Sequence, residues 1–471
     1  MKKCAGCKKE TCNGCSLNPG SEIKSSKGQL SLFPENFTAD EQKGFGIAFD
    51  IGTTTIAAML FDLEKQEQID TETCVNPQRA AGSDVISRIT YCRKSRENNE
   101  RLKYLTVKKM DELAEKMCTR SEAEASEPIR IQKVMAVGNT AMCEILLGLS
   151  LEGLAAAPFH KEYGGSVTGP GKGFGFSFLK EAQITVLPSI GGYIGADALA
   201  VYTYVKKKDE RKNILAVDIG TNGEILLLGE KMTYACSAAA GPALEGAAVF
   251  QGMGAAPGAI EEVRILGNFP RQDISCKVIG GGIPKGICGS GLVDALAVLT
   301  RLKVIDSSGY LLNSREARKK GVPEMVCRRL FTEGEENRIL LTDKDSPVYL
   351  TAGDIRQLQL AKGAIRAGIE ILLKKEGIEK EKLSHIYLAG AFGSYIKIEN
   401  AAAIGLLPNI SRERMTHTGN CAGTGAAMAL LSEKTVKEME SYAGKISHVE
   451  LAGEEAFQEY FLRFMEIQED K

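Results

Sequence analysis

The tetrapeptide Asp-Ile-Gly-Thr stands twice in this chain, at residues 50–53 and again at 218–221, each time at the end of an apolar strand. The elements after the first copy recur, in the same order, after the second. The segments GFGIAFD, TIAAMLFDL and IDTETCV read as three strands of a meander that turns through IGTT. A helical stretch from about 84 to 118 comes next, then the strand IQKVMAVG, the helix TAMCEILLGL, the strand ITVLPS and the small-residue helix GADALAVYTYV. From 213 the order restarts with NILAVD, IGTN, GEILLLG and KMTYACS. It later supplies the strand HIYLAG, a helix near Glu399 and the small-residue helix GTGAAMALL. The pattern predicts an α/β chain made by internal duplication of a βββαβαβα unit.

The rest of the chain is arranged around this duplication. Residues 1–20 form a cysteine-rich segment. The next stretch, rich in Ser, Lys, Gly, Pro and Asn and without a sustained period, is read as a linker over 21–43. The first subdomain spans 44–206 and the second 207–433, with an insertion at about 255–350 that carries the Gly280-Gly281-Gly282 run, GICGSGLVDALAVL and a charged, exposed stretch at 328–345. A C-terminal extension over 434–471 reads as a short strand between two amphipathic helices.

The repeated hairpins carry the first chemistry. Glycine lets backbone N–H groups approach an anion, and the adjacent Thr and Asn side chains add donors. An Asp at the strand end can hold a hydrated Mg²⁺, which keeps several waters and takes only one or two carboxylates. A single D-x-G is usually no more than a turn. Two copies in equivalent places, 168 residues apart, predict a clamp for a nucleoside triphosphate. The strand HIYLAG empties into a third glycine-rich turn that could lie against an adenine or ribose, and the Gly/Ala-rich helices near Gly195 and Gly423 suit a close crossing at a pivot.

Cys4, Cys7, Cys12 and Cys15 have the spacing C-x2-C-x4-C-x2-C. Four thiolates without a histidine can close around one Zn²⁺ or around a [4Fe-4S] cluster, and spacing leaves both readings open. The other nine of the 13 cysteines are mostly isolated in apolar stretches and are read as small core hydrophobes. The four histidines are scattered and none is read as a ligand.

With 59 basic against 60 acidic residues, the chain has no global field to attract nucleic acid or an anionic membrane. No apolar run reaches membrane-spanning length, and the start Met-Lys-Lys-Cys carries no signal-like core. The cytoplasm is the expected compartment.

The two phosphate, two connecting and one adenosine segments, in this order, resemble the acetate and sugar kinase/Hsp70/actin (ASKHA) superfamily over about residues 44 to 433. More narrowly, NPQRAAGSDVISRI (76–89), VGNTAM (137–142), DIGTNGE (218–224), AAGPALEGA (239–247), GICGSGLVDA (286–295) and LAGAFG (388–393) look like the reductive activators of corrinoid proteins. The resemblance implies an α/β fold of duplicated ribonuclease-H-like domains (actin/Hsp70/sugar-kinase) with a short N-terminal metal-binding tail. It implies hydrolysis of ATP with Mg²⁺ to drive an electron from an iron-sulfur centre onto the cobalt(II) of a corrinoid protein in a methyltransferase system, fed by a low-potential donor. It leaves room for a homodimer, and it tilts the four cysteines toward the iron-sulfur cluster.

By the same resemblance Asp50, Asp218, Asn139 and Asp197 are the catalytic candidates. Phosphate and Mg²⁺ contacts fall on Gly52, Thr53, Thr54, Thr55, Gly220, Thr221, Asn222 and Gly223. Gly390, Ala391, Phe392 and Gly393 would hold the nucleoside. Asn139, Asp197, Glu224 and Glu245 are candidates for contacting Mg²⁺, the attacking water or the ribose. A competing reading comes from activators of 2-hydroxyacyl-CoA dehydratases, in which a subunit-bridging cluster would use Cys236 and Cys276; the expectation for both is buried thiols. A small-molecule kinase of this fold, or a regulatory ATPase with a zinc tail, completes the alternatives.

Overall fold

The computed structural model describes residues 32–125, 128–390 and 395–467. In the first repeat β1 (Phe45–Ile51), β2 (Thr55–Asp62) and β3 (Glu67–Val75) form the expected meander. Two helices come next, α1 (Val85–Arg93) and α2 (Arg96–Ala125), then β4 (Ile131–Gly138) and α3 (Thr140–Leu147). The strand β5 (Val167–Pro170), the helical turn α4 (Gly171–Phe174), β6 (Gln183–Val186) and α5 (Ala196–Lys208) complete the unit. The sheet runs β3-β2-β1-β4-β6-β5, with β1 antiparallel to β2 and parallel to β4.

The second repeat opens with β7 (Ile214–Ile219), β8 (Gly223–Leu228) and β9 (Thr233–Ala238). Its insertion contains β10 (Ala259–Leu266), β11 (Asp273–Val278), β12 (Gly286–Ile287), α6 (Gly289–Arg301), α7 (Ser314–Lys319), α8 (Glu324–Cys327), β13 (Leu330–Glu333), β14 (Glu336–Leu340) and β15 (Tyr349–Thr351). The long helix α9 (Ala352–Glu376) returns the chain to the repeat: β16 (His385–Ala389), α10 (Ile398–Ala403), β17 (Met415–Gly419) and α11 (Cys421–Leu431). The tail is α12 (Glu433–Ala443), β18 (Ser447–His448) and α13 (Ala456–Met465).

The second sheet runs β17-β16-β7-β8-β9-β18. Five strands of each sheet therefore correspond, and the sixth is added at opposite edges: β5 beyond β6 in the first repeat, β18 beside β9 in the second. The sequence reading missed β5 and β17, because short edge strands with half-polar sequences such as VTGP and MTHTG carry no apolar run. It placed β18 correctly between two helices. That strand pairs with β9, so the C-terminal stretch set apart as an extension completes the second sheet.

Side chains along a strand alternate between faces, and β7 to β9 use this to serve two cores. Ile214, Ala216, Leu226, Leu228 and Ala235 join the cluster built on the first sheet, α5 and α11. Leu215, Val217, Ile219, Ile225, Leu227 and Cys236 join a second cluster with α6, α9 and the insertion. The insertion thus shares the second domain's core. Within its charged stretch Arg329 departs from the expected exposure, pairing with Asp273 at 2.6 Å in a largely buried bridge. The Gly/Ala-rich α5 and α11 pack on each other, and a Cβ on Gly425 would stand 2.4 Å from the Ala200 carbonyl oxygen. Only glycine allows this crossing.

The expected linker ends earlier than residue 43. Phe33 and Phe37 are buried in the first core, with ring centroids 4.9 Å apart, and Phe33 lies 6.1 Å from Phe61. Asp40 N–H donates to the Leu431 carbonyl at 2.8 Å, and the Asp40 carboxylate accepts from Glu433 N at 2.6 Å. Two aromatic rings in an otherwise polar stretch give enough apolar surface to dock it. Among the described residues no helix is long and apolar enough to cross a membrane.

Candidate functional site

β1 and β7 are interior strands of their sheets, and each ends in its D-x-G turn. The duplication brings the two turns face to face. Thr54 Oγ1 and Thr221 Oγ1 lie 3.2 Å apart. Both hydroxyls reach the same carboxylate: Thr54 donates to Glu245 Oε2 at 2.8 Å and Thr221 to Glu245 Oε1 at 2.7 Å. The first turn is tight, since a Cβ on Gly52 would stand 2.7 Å from the Thr55 carbonyl oxygen. The second is closed by Gly220 N–H donating to the Asn222 carbonyl at 2.9 Å. Gly223 lies under α9, where a Cβ would meet Ile365 Cγ1 at 2.7 Å.

Four of the candidate carboxylates gather beside these turns, each partly accessible. Asp218 and Glu224 face each other across β7 and β8. Asp197 stands in the first turn of α5, its Oδ1 accepting from Ala198 N–H at 2.8 Å. Burial raises Asp50 to about 6 against the opposing hydrogen bond from Asn420. Burial and the charge of Asp50 take Asp218 to about 7. Burial, then Asp50, hold Asp197 at about 8, and Glu224 is held well above the usual range by burial and by Asp197 and Asp218. These carboxylates crowd one another in a low-dielectric cleft, so a divalent cation is the species they fit. Among the described residues no three His, Cys, Asp or Glu side chains converge as a direct ligand shell.

Several residues that position the site escaped the sequence reading. Arg88, fully buried, donates from Nη2 to the Thr53 carbonyl at 2.5 Å and from Nε to the Gly82 carbonyl at 3.1 Å. Burial lowers its guanidinium to about 10, which leaves it charged at neutral pH. Asn76 donates from Nδ2 to the Gly52 carbonyl at 2.8 Å, while its Oδ1 accepts from Gln78 N–H at 2.9 Å. The two side chains thus hold consecutive carbonyls of the first turn. Both belong to the 76–89 segment, whose signal was present without an assigned role. Asn420 caps α11 and also donates to Asp50 Oδ2 at 3.0 Å. Its capping role comes from being an Asn ahead of a helix; its reach to Asp50 is a tertiary fact.

Gly390 lies against Asp218. With φ +84° it occupies the left-handed region, and a Cβ there would stand 2.3 Å from Asp218 Oδ1. Asn139, 3% exposed, caps α3: its Oδ1 accepts from Ala141 N–H at 3.2 Å and its Nδ2 donates to the Tyr193 carbonyl at 3.0 Å. Ala391, Phe392 and Gly393 lie outside the described residues, as do Cys4, Cys7, Cys12 and Cys15.

Cys236 is fully buried on β9 in the second core, and burial pushes its thiol far up. Cys276, half-buried on β11, donates to the Leu341 carbonyl at 3.3 Å, and burial pushes it up to about 12. Seven of the nine described cysteines are buried, which fits their reading as core hydrophobes.

The fold and this cleft define an ATPase of the ASKHA class. Residues 212–471 match the family model described as the C-terminal domain of RACo, the ASKHA domain, and residues 45–209 match the RACo middle region. The chain belongs to this family of reductive activators of corrinoid proteins. It is 33% identical over 441 residues to the corrinoid activation enzyme RamQ of Eubacterium limosum, covering 92% of this chain and 72% of that protein. It is 26% identical to the [Co(II) methylated amine-specific corrinoid protein] reductase of Methanosarcina barkeri, over 89% of this chain and 76% of the relative. A solved structure of a reductive activator for a corrinoid, iron-sulfur protein superposes with a TM-score of 0.78 at 31% identity, covering 92% of this chain and 67% of that one.

Proposed function

We infer that this protein couples ATP hydrolysis to the reductive activation of a corrinoid protein. The observation that carries the nucleotide half is the meeting of the two D-x-G turns, with Thr54 and Thr221 3.2 Å apart beside the four carboxylates. Hydroxyls and turn N–H groups would face the phosphates; Asp50 and Asp218 would hold the hydrated cation, and Asp197 and Glu224 would lie beside the attacking water. Mg²⁺, when bound, offsets the charge that collects on the transferred phosphoryl group. Arg88 and Asn76 keep the first turn in the shape that receives it, and Asn139 caps α3. Gly390 to Gly393 receive the nucleoside.

The redox half is assigned to Cys4, Cys7, Cys12 and Cys15. A cluster there would supply a one-electron carrier close to the partner, fed by a low-potential donor. The overall change balances as one electron from the donor to cobalt(II), giving cobalt(I), with ATP and water giving ADP and phosphate. ATP is needed because a nucleotide can shift an equilibrium only through a difference in affinity between two states. The two repeats, crossed at α5 and α11 and joined at the phosphate turns, provide such states. The partner is the corrinoid protein of a methyltransferase system, and the compartment is the cytoplasm. Neither nucleic acid nor membrane takes part, and self-association as a homodimer is compatible with this reading.

The test is formation of cobalt(I) from a cobalt(II) corrinoid protein under anaerobic conditions with a reductant. It should require hydrolysable ATP, and it should be abolished by Cys7→Ser with Cys12→Ser while basal ATP hydrolysis persists. Equal reduction without ATP, or with both cysteines replaced, would show the mechanism to be wrong. Zinc in place of iron in anaerobically purified protein would reassign the tail to a structural role.

A further inference from the structure

Glu245 makes an unusual contact for a residue in a phosphate site. It ends the short 3₁₀ turn Pro242–Glu245, whose flanking Gly241 and Gly246 both have left-handed backbone, with φ 73° and 76°. That turn is fixed in place: Ala243 and Leu244 are buried, and a Cβ on Gly246 would stand 2.2 Å from the Met253 carbonyl oxygen. From this rigid base the side chain reaches between the two repeats. Each of its oxygens takes the hydroxyl hydrogen of a threonine from a different repeat, at 2.7 and 2.8 Å. A hydroxyl has one hydrogen. While both are given to Glu245, neither Thr54 nor Thr221 can donate to a ligand.

A carboxylate accepting two convergent hydroxyls offers the same chemistry as two oxygens of a terminal phosphate. We propose that Glu245 is an internal stand-in for the terminal phosphate of the nucleotide: it bridges the two turns when that phosphate is missing and must be displaced when it arrives. The proposal rests on the reading of these turns as the phosphate site. Displacement needs only side-chain rotation, because the turn beneath is pinned. A triphosphate offsets the cost of breaking the bridge, whereas a diphosphate leaves it in place. The threonine pair therefore has two alternative anions, one belonging to the protein and one to the ligand, and loss of the terminal phosphate restores the protein's own.

The experiment compares binding of Mg²⁺ with AMP-PNP and with ADP to the full chain by calorimetry, in the native protein and in Glu245→Gln. Glutamine keeps the length and one acceptor but removes the charge that competes with phosphate. The expected result is AMP-PNP affinity raised by about tenfold, the scale of a charge-assisted hydrogen-bonded contact, with ADP affinity little changed. Glu245→Asp, one methylene too short to span both hydroxyls, should move AMP-PNP binding in the same direction. Weaker AMP-PNP binding in either variant would show that Glu245 holds the nucleotide rather than replacing it, and equal tightening for ADP would remove the terminal-phosphate dependence; either overturns the proposal. Failure of the native protein to bind either nucleotide would instead sink the phosphate-site reading beneath it.

Discussion

The Asn420 side chain donates to Asp50 Oδ2 at 3.0 Å, joining the cap of a second-repeat helix to the carboxylate of the first-repeat hairpin across 370 residues of sequence. The other end of the same amide accepts from Gly423 N–H at 2.8 Å, so its orientation is fixed. This is the hydrogen bond that opposes the upward pressure of burial on Asp50. Asn420→Ala should lower Mg²⁺-dependent ATP hydrolysis by about tenfold, the scale of one hydrogen bond to a charged group. It should also move the acid limb of the pH profile upward. Wild-type turnover and an unshifted profile would deny the contact a role.

Asp50→Ala and Asp218→Ala each remove a group that positions the cation. Turnover should fall by about a hundredfold or more in either variant, as expected for loss of a preorganised electrostatic group. Steady-state ATP hydrolysis across a Mg²⁺ titration is the measurement. Unchanged rates in both would remove the cleft from the mechanism.

The carboxylate cluster also sets a pH dependence of stability. In the folded, metal-free protein Asp50, Asp218 and Asp197 retain their protons to about 6, 7 and 8, whereas an unfolded Asp releases its proton near 3.9. Over this interval the native state binds more protons than the unfolded one, so stability is lost as pH rises through these values. Mg²⁺ should offset the loss. Thermal unfolding monitored with and without Mg²⁺ should show a larger stabilising shift at about pH 8 than at about pH 5. A shift independent of pH would place the cation elsewhere.

Truncation should separate two parts of the N-terminal region. Removing residues 1–20 should leave the thermal transition of the body unchanged. Removing 1–43 should lower it, because Phe33 and Phe37 leave the core; a buried Phe truncated to Ala costs about 3 kcal/mol. Equal stability of the two truncations would contradict the docking of residues 32–43.

Much of the architecture was legible because it was written twice. The hairpins at Asp50 and Asp218, the meanders after them and the small-residue helices recur in one order, and periodicity alone marks such elements. The edge strands β5 and β17 were not legible, being short and half-polar. The linker was overextended, since composition registers Ser, Lys and Pro but not the two aromatic rings that dock it.

The duplicated α/β organisation, the two phosphate turns and their strand-end Asp50 and Asp218 could be read from the chain directly, because turn chemistry and strand ends are local properties of a few adjacent residues, whereas Asp197, Glu224 and Glu245 entered only through the family resemblance. Which of those residues act together was settled by tertiary packing. Thr54 and Thr221 meet at Glu245, Asn420 reaches Asp50, Arg88 grips Thr53, and Gly390 presses on Asp218. Cys236, which the competing resemblance offered as a candidate for a bridging cluster and which was expected to be a buried thiol, is closed inside the second core. The reason is geometric: hydrogen bonds and charge coupling depend on distances of a few ångströms between side chains up to 370 residues apart, and packing of the two repeats across α5 and α11 sets those distances.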